Sequence, residues 1–206
     1  KSEALVFWLA APNRRSCDAS RLTGREQGSV VWGKAQSGKL FHMALKPRTI
    51  SSSHIIKKDH HETIIDVLSG DEGAAEYCVR EGAQLTLILV GRGQYIRDYE
   101  RTIRLVGRGA EAILIGLIDC RGESALGLRT MQRHEAPDTR SNLMVKTVLR
   151  DKAAFRYHGV IRIEKLAQKS DAYQRNENLL LSAAASARSD PALEILANDV
   201  RCTHGA

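Results

Sequence analysis

Two residues near the end of the chain have the types and spacing needed to bind a metal. Cys202 and His204 lie two apart in a stretch typical of a β-strand, so their side chains point to the same face. A thiolate and an imidazole are both ligands that iron and iron–sulfur clusters accept. Two ligands make half of a site, and the other half would come from a facing subunit. Two plainer interpretations stay open: a buried apolar cysteine, and a histidine that only forms a hydrogen bond.

A second group of polar residues is dense enough to be considered as a metal site. It contains His54, Asp59, His60, His61 and Glu62. His60 and His61 are adjacent, so on a strand they would face opposite ways, and a site that used both would need a turn. The pattern favours a solvated turn, and the roles of His54, His60 and His61 stay open.

Common catalytic motifs are not found in this sequence. It has no G-x-x-x-x-G-K-[ST] phosphate loop and no G-x-S-x-G nucleophile elbow. The sequence therefore does not predict ATP hydrolysis or serine-hydrolase chemistry.

Composition narrows the fold and the partners. Hydrophobic residues make up 43% of the 206 residues and aromatic residues only 5%, which predicts one domain over residues 1–206 with an aliphatic core. No run of 18 apolar residues occurs, so no membrane span is predicted. The net charge is +7, but basic residues are dispersed among acidic ones, which argues against a nucleic-acid-binding patch.

Short apolar runs punctuated by Gly, Asp, Asn and Ser predict strands along most of the chain. They lie at 5–9, 29–32, 63–68, 85–90, 113–118, 143–149, 160–163, 179–181 and 193–196. The sequence LVGRG occurs twice, at 89–93 and 105–109, and predicts a repeated strand end with a tight turn. These features predict an all-β fold, a right-handed parallel β-helix. Two segments, 97–104 and 180–188, have compositions that would also allow helices, with a turn before Pro191 as the alternative for the second. Residues 134–138 predict a loop.

Two other functional classes fit a basic solenoid. One is a secreted β-helix enzyme that acts on polysaccharides, and the other is a nucleic-acid-binding solenoid. The enzyme would need clustered carboxylates and a signal peptide, whereas residues 4–11 read as a strand without a cleavage region. The four cysteines are widely spaced with no C-x-x-C pair, which fits a reducing compartment such as the cytoplasm.

Five sequence blocks follow one another in the last quarter of the chain. They are GVIRI at 159–163, AQKSDA at 167–172, QRNENLLLS at 174–182, PALEI at 191–195 and NDVRCTHGA at 198–206. In this order and spacing they resemble the core domain of the SufB/SufD family, the scaffold proteins of the SUF iron–sulfur cluster assembly system. Gly205 after His204 resembles the SufD branch, because SufB-type chains typically have an acidic residue there.

The resemblance implies a SufD-like, non-catalytic scaffold and not an enzyme. This scaffold would work with a SufB-like subunit and the SufC ATPase, in the cytoplasm or an organelle stroma. It implies no tightly bound cofactor but a transient iron–sulfur cluster or iron at the subunit interface, with His204 and Cys202 as ligands from this chain. The family's N-terminal helical domain and its C-terminal helices that dock SufC have no counterpart here, so we expect a core-domain fragment. We also expect a possible homodimer through the terminal β-helix strands.

Overall fold

The computed structural model describes residues 52–68 and 73–205, which form twelve β-strands in two parallel sheets. Sheet A contains β1 Ser52–Ile56, β3 Ala74–Val79, β5 Ile96–Leu105, β7 Ala125–His134, β9 Ala154–Ile163 and β11 Ser186–Ile195. Sheet B contains β2 His61–Val67, β4 Gln84–Gly93, β6 Glu111–Cys120, β8 Arg140–Leu149, β10 Ser170–Leu180 and β12 Val200–Gly205. Successive strands alternate between the sheets, so each coil gives one strand to each sheet. The prediction of an all-β, parallel solenoid is confirmed.

Each coil lies in register on the next, and the coils lengthen along the chain. Lys58 pairs with Glu81, 23 residues on, at the first turn. Later the spacing is 31 residues, as between Val145 and its register partner Asn176. The two copies of LVGRG therefore do not mark equivalent points of the solenoid. The first copy ends β4 in sheet B, and the second begins at the last residue of β5 in sheet A.

Turns that follow the strands of sheet A share one backbone conformation. A residue with φ between 57° and 69° recurs there: Asp59, Gly82, Gly109, Asp138 and Lys169. Glycine and aspartate tolerate this left-handed region best. The N–H of each of these residues donates to a carbonyl of the next coil, and the last such bond, from Lys169 N to Asp199 O at 2.6 Å, fixes the start of β12.

The core lies between the two sheets and is built from inward-facing columns of side chains. Leu87, Leu114 and Leu143 form one such column, all 0–1% exposed. Inward side chains are aliphatic over most of the length, as the low aromatic content predicts. Burial of these ladders between coils is the main stabilising contribution to a solenoid.

Arginine and glutamate alternate along the outer face of sheet A. Arg104, Arg133 and Arg162 occupy one register column. Arg104 Nε donates to Glu135 at 2.6 Å, and Arg133 contacts both Glu135 at 3.4 Å and Glu164 at 2.8 Å. This ladder of charges ties successive coils together outside the core.

Neither segment whose composition allowed a helix is helical. The segment 97–104 lies within β5, because Tyr99, Arg101, Ile103 and Leu105 alternate into the core. The segment 180–188 forms the end of β10, a turn and the start of β11, which agrees with the turn that was the alternative prediction there.

Another prediction that the structure corrects concerns His134, which was predicted in a loop. It is the last residue of β7 and is fully buried. Its ring nitrogens lie 2.7 Å from Thr139 Oγ1 and 2.8 Å from Ser141 Oγ. Burial lowers the pKa of His134 to about 4, so its ring is neutral at pH 7.

Some predictions lie outside the described residues, namely the strands at 5–9 and 29–32 and the absence of a signal sequence at 4–11. Within 52–68 and 73–205, no helix has the length and apolarity required to span a membrane.

Candidate functional site

The candidate site lies where the two sheets end. β11 and β12 are the outermost strands at one end of sheets A and B. Leu193 and Ile195 of β11 are in register with the fully buried Ile161 and Ile163, so they face the interior, yet they are 36% and 41% exposed. Leu180, at the end of β10, is 45% exposed. We call this surface, formed by the inner faces of β11 and β12 together with Leu180, the open end.

His204 lies on β12 at the open end. Its Cα is paired with that of Gln174 in β10, and Gln174 is a buried residue that faces the interior. His204 is itself exposed, because β12 is the outermost strand of sheet B. An imidazole is therefore presented to solvent from the last rung of an inward-facing column.

Cys202 shares this face of β12 but has a different environment. It is partly buried and packs against the small apolar cluster that includes Ile163, Ala167 and Ala172. Burial, with a smaller contribution from the charge of Asp171, raises the pKa of the Cys202 thiol to about 11. The thiol is protonated at neutral pH, and it would bind a metal only by releasing that proton.

Polar side chains fill the interior directly beneath His204, a feature that the sequence interpretation missed. Gln174 Nε2 donates to Gly159 O at 3.0 Å, across the space between the sheets. The hydroxyls of Tyr157 and Thr130 lie 2.8 Å apart in the same interior. Gly159 permits this arrangement, because a Cβ there would lie 2.5 Å from Tyr157 Oη and 2.6 Å from Gln174 Oε1.

Asn176 and Asn178 extend the polar interior along β10. Asn178 Nδ2 donates to Asn176 Oδ1 at 2.7 Å, and Asn176 Nδ2 donates to Val145 O in the neighbouring coil at 3.1 Å. Ser189 of β11 also bonds to Asn176. These bonds run along one strand, to the neighbouring coil and across to the other sheet. The signal in the sequence was the Q-x-N-x-N spacing, at a place where the preceding coil has Leu143, Val145 and Thr147.

The other predicted polar group does not form a metal site. His54 stacks on Tyr77 with ring centroids 5.3 Å apart, and His60 Nδ1 lies 2.8 Å from Lys58 O in an exposed turn. His61 begins β2 and is exposed. Within 52–68 and 73–205, no three His, Cys, Asp or Glu side chains are grouped closely enough to hold a metal. Residues 57–60 form the exposed turn that was predicted, whereas His54, His61 and Glu62 lie on β1 and β2.

Many basic side chains on the described surface form ion pairs. Besides the ladder on sheet A, Arg140 pairs with Glu111 at 3.2 Å and Lys146 with Glu177 at 3.0 Å on sheet B. Ion pairs of this kind reduce the positive charge that a phosphate backbone would meet.

Comparison with protein families identifies one match. Residues 73–206 match the family described as "SUF system FeS cluster assembly, SufBD core domain". The match includes every strand from β3 to β12, and therefore the open end with Cys202 and His204.

Several characterised proteins are similar in sequence to the chain. The iron–sulfur cluster assembly protein SufD of Escherichia coli is 37% identical over 78 residues, covering 38% of this chain and 18% of that protein. SufD of Bacillus subtilis is 29% identical over 150 residues, covering 69% of this chain and 33% of that protein. The chloroplastic protein ABCI7 of Arabidopsis thaliana is 25% identical over 213 residues, covering 100% of this chain and 41% of that protein. The chain thus spans less than half the length of each.

Proposed function

Because this chain belongs to the SufBD core family of the SUF iron–sulfur cluster assembly system, we propose that it is a SufD-like scaffold subunit. It has no catalytic step of its own in this proposal. It pairs with a SufB-like subunit, in a complex that also contains the SufC ATPase, and the cluster is assembled at the interface of the two solenoids. The setting is the cytoplasm or an organelle stroma.

The observation that carries the proposal is the position of His204. Its strand is the outermost of sheet B, its column faces the interior, and the imidazole is exposed. A second solenoid that covered the open end would enclose this imidazole between two subunits. The nitrogen of an imidazole is a suitable ligand for iron.

The cluster is cargo in this account and not a resident cofactor. His204 is one ligand, and the partner subunit has to supply most of the others, because a [2Fe–2S] or [4Fe–4S] cluster is usually held by four protein ligands. Cys202 is a secondary candidate. Its raised pKa favours the thiol in the free subunit, so it becomes a ligand only if iron displaces its proton.

Apolar residues around His204 support an interface at the same place. Leu180, Leu193 and Ile195 are interior side chains that lack a further coil to cover them. Unpaired strand edges at β11 and β12 can add backbone hydrogen bonds from a partner strand. The same surface also allows a two-fold homodimer when the SufB-like partner is absent.

Co-expression tests the partnership. The 206-residue chain, affinity-tagged, is produced together with a SufB-like and a SufC-like protein from one source, and the purified material is analysed by native mass spectrometry. The proposal predicts a complex that contains the SufB-like subunit. Recovery of the tagged chain without that subunit, from cells in which both are soluble and abundant, would contradict the proposal.

A further inference from the structure

The interior of the solenoid changes character near the open end. Each coil of sheet B contributes one residue to an inward-facing column, and this column consists of Leu87, Leu114, Leu143 and then Gln174. On sheet A, the neighbours of Gln132 in register are Ile103 and Ile161. In these two columns, a glutamine therefore occupies an interior position at which neighbouring coils have leucine or isoleucine.

Several of these polar atoms have no hydrogen-bond partner among the described residues. They are Gln132 Nε2, Thr147 Oγ1, Gln174 Oε1 and Asn178 Oδ1. Gln132, Thr147 and Gln174 are each only 1% exposed. Buried polar atoms in native proteins are nearly always paired, since leaving one unpaired costs its full desolvation.

The atoms need a ligand that both donates and accepts hydrogen bonds. Gln132 Nε2 is a donor, whereas Gln174 Oε1 and Asn178 Oδ1 are acceptors. A cation would satisfy only the acceptors, and an anion would satisfy only the donor. Water satisfies both kinds and is the usual partner of otherwise unpaired polar groups in protein interiors.

The neighbours of Thr147, Gln174 and Asn178 show that these three polar residues belong to one region of the interior. Asn178 is in register with Thr147 and bonds to Asn176. Gln174 lies two residues before Asn176 on the same face of β10 and reaches Gly159 of the opposite sheet. The region thus extends across the interior, one coil beneath His204.

We infer that the interior between β7 and β10 binds ordered water molecules that pair with Gln132, Thr147, Gln174 and Asn178. The part of the interior that lies one coil beneath His204 is then a hydrated, hydrogen-bonded layer and not a dry apolar core. This inference is independent of cluster assembly, since it concerns the folded chain alone.

A crystal structure of the chain at about 1.5 Å resolution tests the inference directly. It predicts ordered water within about 3.2 Å of Gln132 Nε2, Thr147 Oγ1 and Gln174 Oε1. An interior in which these atoms bond only to one another or to other protein atoms, with no water between the sheets, would overturn it.

Thermal denaturation of column-matched variants gives a second test. Gln132→Ile copies the residues on either side in its column, and Thr147→Val is nearly isosteric. If water pairs with the polar groups, neither variant melts above the parent, because each loses satisfied hydrogen bonds. A melting temperature higher by several degrees in either variant would show an unpaired group in the parent and would overturn the inference.

A control variant shows that the denaturation assay detects the loss of paired polar groups. Asn176→Val copies Val145, its register neighbour, and removes side-chain bonds that the protein itself supplies. It should melt below the parent by several degrees.

Discussion

His204 is the register partner of Gln174, and both extend a column that is leucine in three earlier coils. The candidate ligand therefore occupies a core position that happens to be the last in its column. Its backbone is held by the β10–β12 ladder, so the histidine is placed by the same hydrogen bonds that build the solenoid. In the proposed complex, a partner solenoid covers this position.

Replacement of an apolar residue at the open end should prevent self-association. We expect Leu193→Glu to be monomeric under conditions in which the parent dimerises, because a carboxylate would have to be buried in the interface. Multi-angle light scattering across a concentration series measures this. Ile65→Glu is the control, since Ile65 is 66% exposed on the outer face of β2, at the far side of sheet B. Equal masses for parent and Leu193→Glu at every concentration would contradict the proposed interface.

Two glycines of the second LVGRG copy should differ in their tolerance of alanine. A Cβ on Gly107 would lie 1.9 Å from Glu81 N, so the turns of neighbouring coils would have to separate. We expect Gly107→Ala to lower the free energy of unfolding by about 3 kcal/mol. Gly109 has φ +69° but no atom within 4 Å of its Cβ position, so Gly109→Ala should cost about 1 kcal/mol. Urea denaturation measures both, and equal losses would disprove the close approach.

The arginine ladder on sheet A should stabilise the fold more than an exposed ion pair does. Arg104 donates through two nitrogens to Glu135 and is partly buried, so Arg104→Met should cost about 2 kcal/mol. Arg108 is 72% exposed and pairs with Asp138 alone, so Arg108→Met should cost less than about 1 kcal/mol. Chemical denaturation in low and high salt compares them. A loss for Arg108→Met as large as that for Arg104→Met would refute this ranking.

The free energy of unfolding should decrease as the pH is lowered, because His134 is buried. The pKa of His134 is lowered to about 4 in the folded chain, and an unfolded histidine titrates near its usual value of 6.5. The unfolded state thus binds more protons below pH 6.5, so stability is retained above that pH and is lost as the pH falls toward 4. This one group contributes a loss of about 2 kcal/mol between pH 6.5 and 5.

Urea denaturation at pH 7, 6 and 5 measures the effect. His134→Gln keeps a hydrogen-bonding side chain but does not titrate, so its stability should depend less on pH than that of the parent. His60→Gln is the control, because His60 is exposed, and it should retain the slope of the parent. An unchanged slope in His134→Gln would show that another group is responsible.

The strands of sheet B were predictable because their apolar residues alternate with little interruption. The runs at 85–90, 113–118 and 143–149 fall within β4, β6 and β8. The strand β5 was not predictable, because Arg101 occupies an inward position. The buried side chain of Arg101 forms an ion pair with Asp66, which lies 35 residues earlier in the chain, and its Nε is 2.5 Å from Asp66 Oδ2. A charge in the core breaks the expected alternation, and its partner cannot be identified from local sequence.

The candidate site was predictable in part. The two-residue spacing placed Cys202 and His204 on one face, and the structure has them so. Their different burial was not predictable, because Cys202 packs against Ala167 and Ile163 while His204 is exposed among the described residues. The polar interior depends on contacts such as Gln174 to Gly159 across the two sheets, which strand periodicity does not reveal.

The central claim is that His204 is a ligand at the cluster assembly interface. The most direct measurement is iron and sulfide content of the complex formed with SufB-like and SufC-like proteins, after cluster assembly, for His204→Ala beside the parent. Thr203→Ala is the control, because Thr203 is exposed on the opposite face of the same strand. We predict that His204→Ala forms the complex but retains less than about a tenth of the cluster, a loss of roughly 1.4 kcal/mol or more in cluster binding, while Thr203→Ala matches the parent. Full cluster content in the His204→Ala complex would contradict the account.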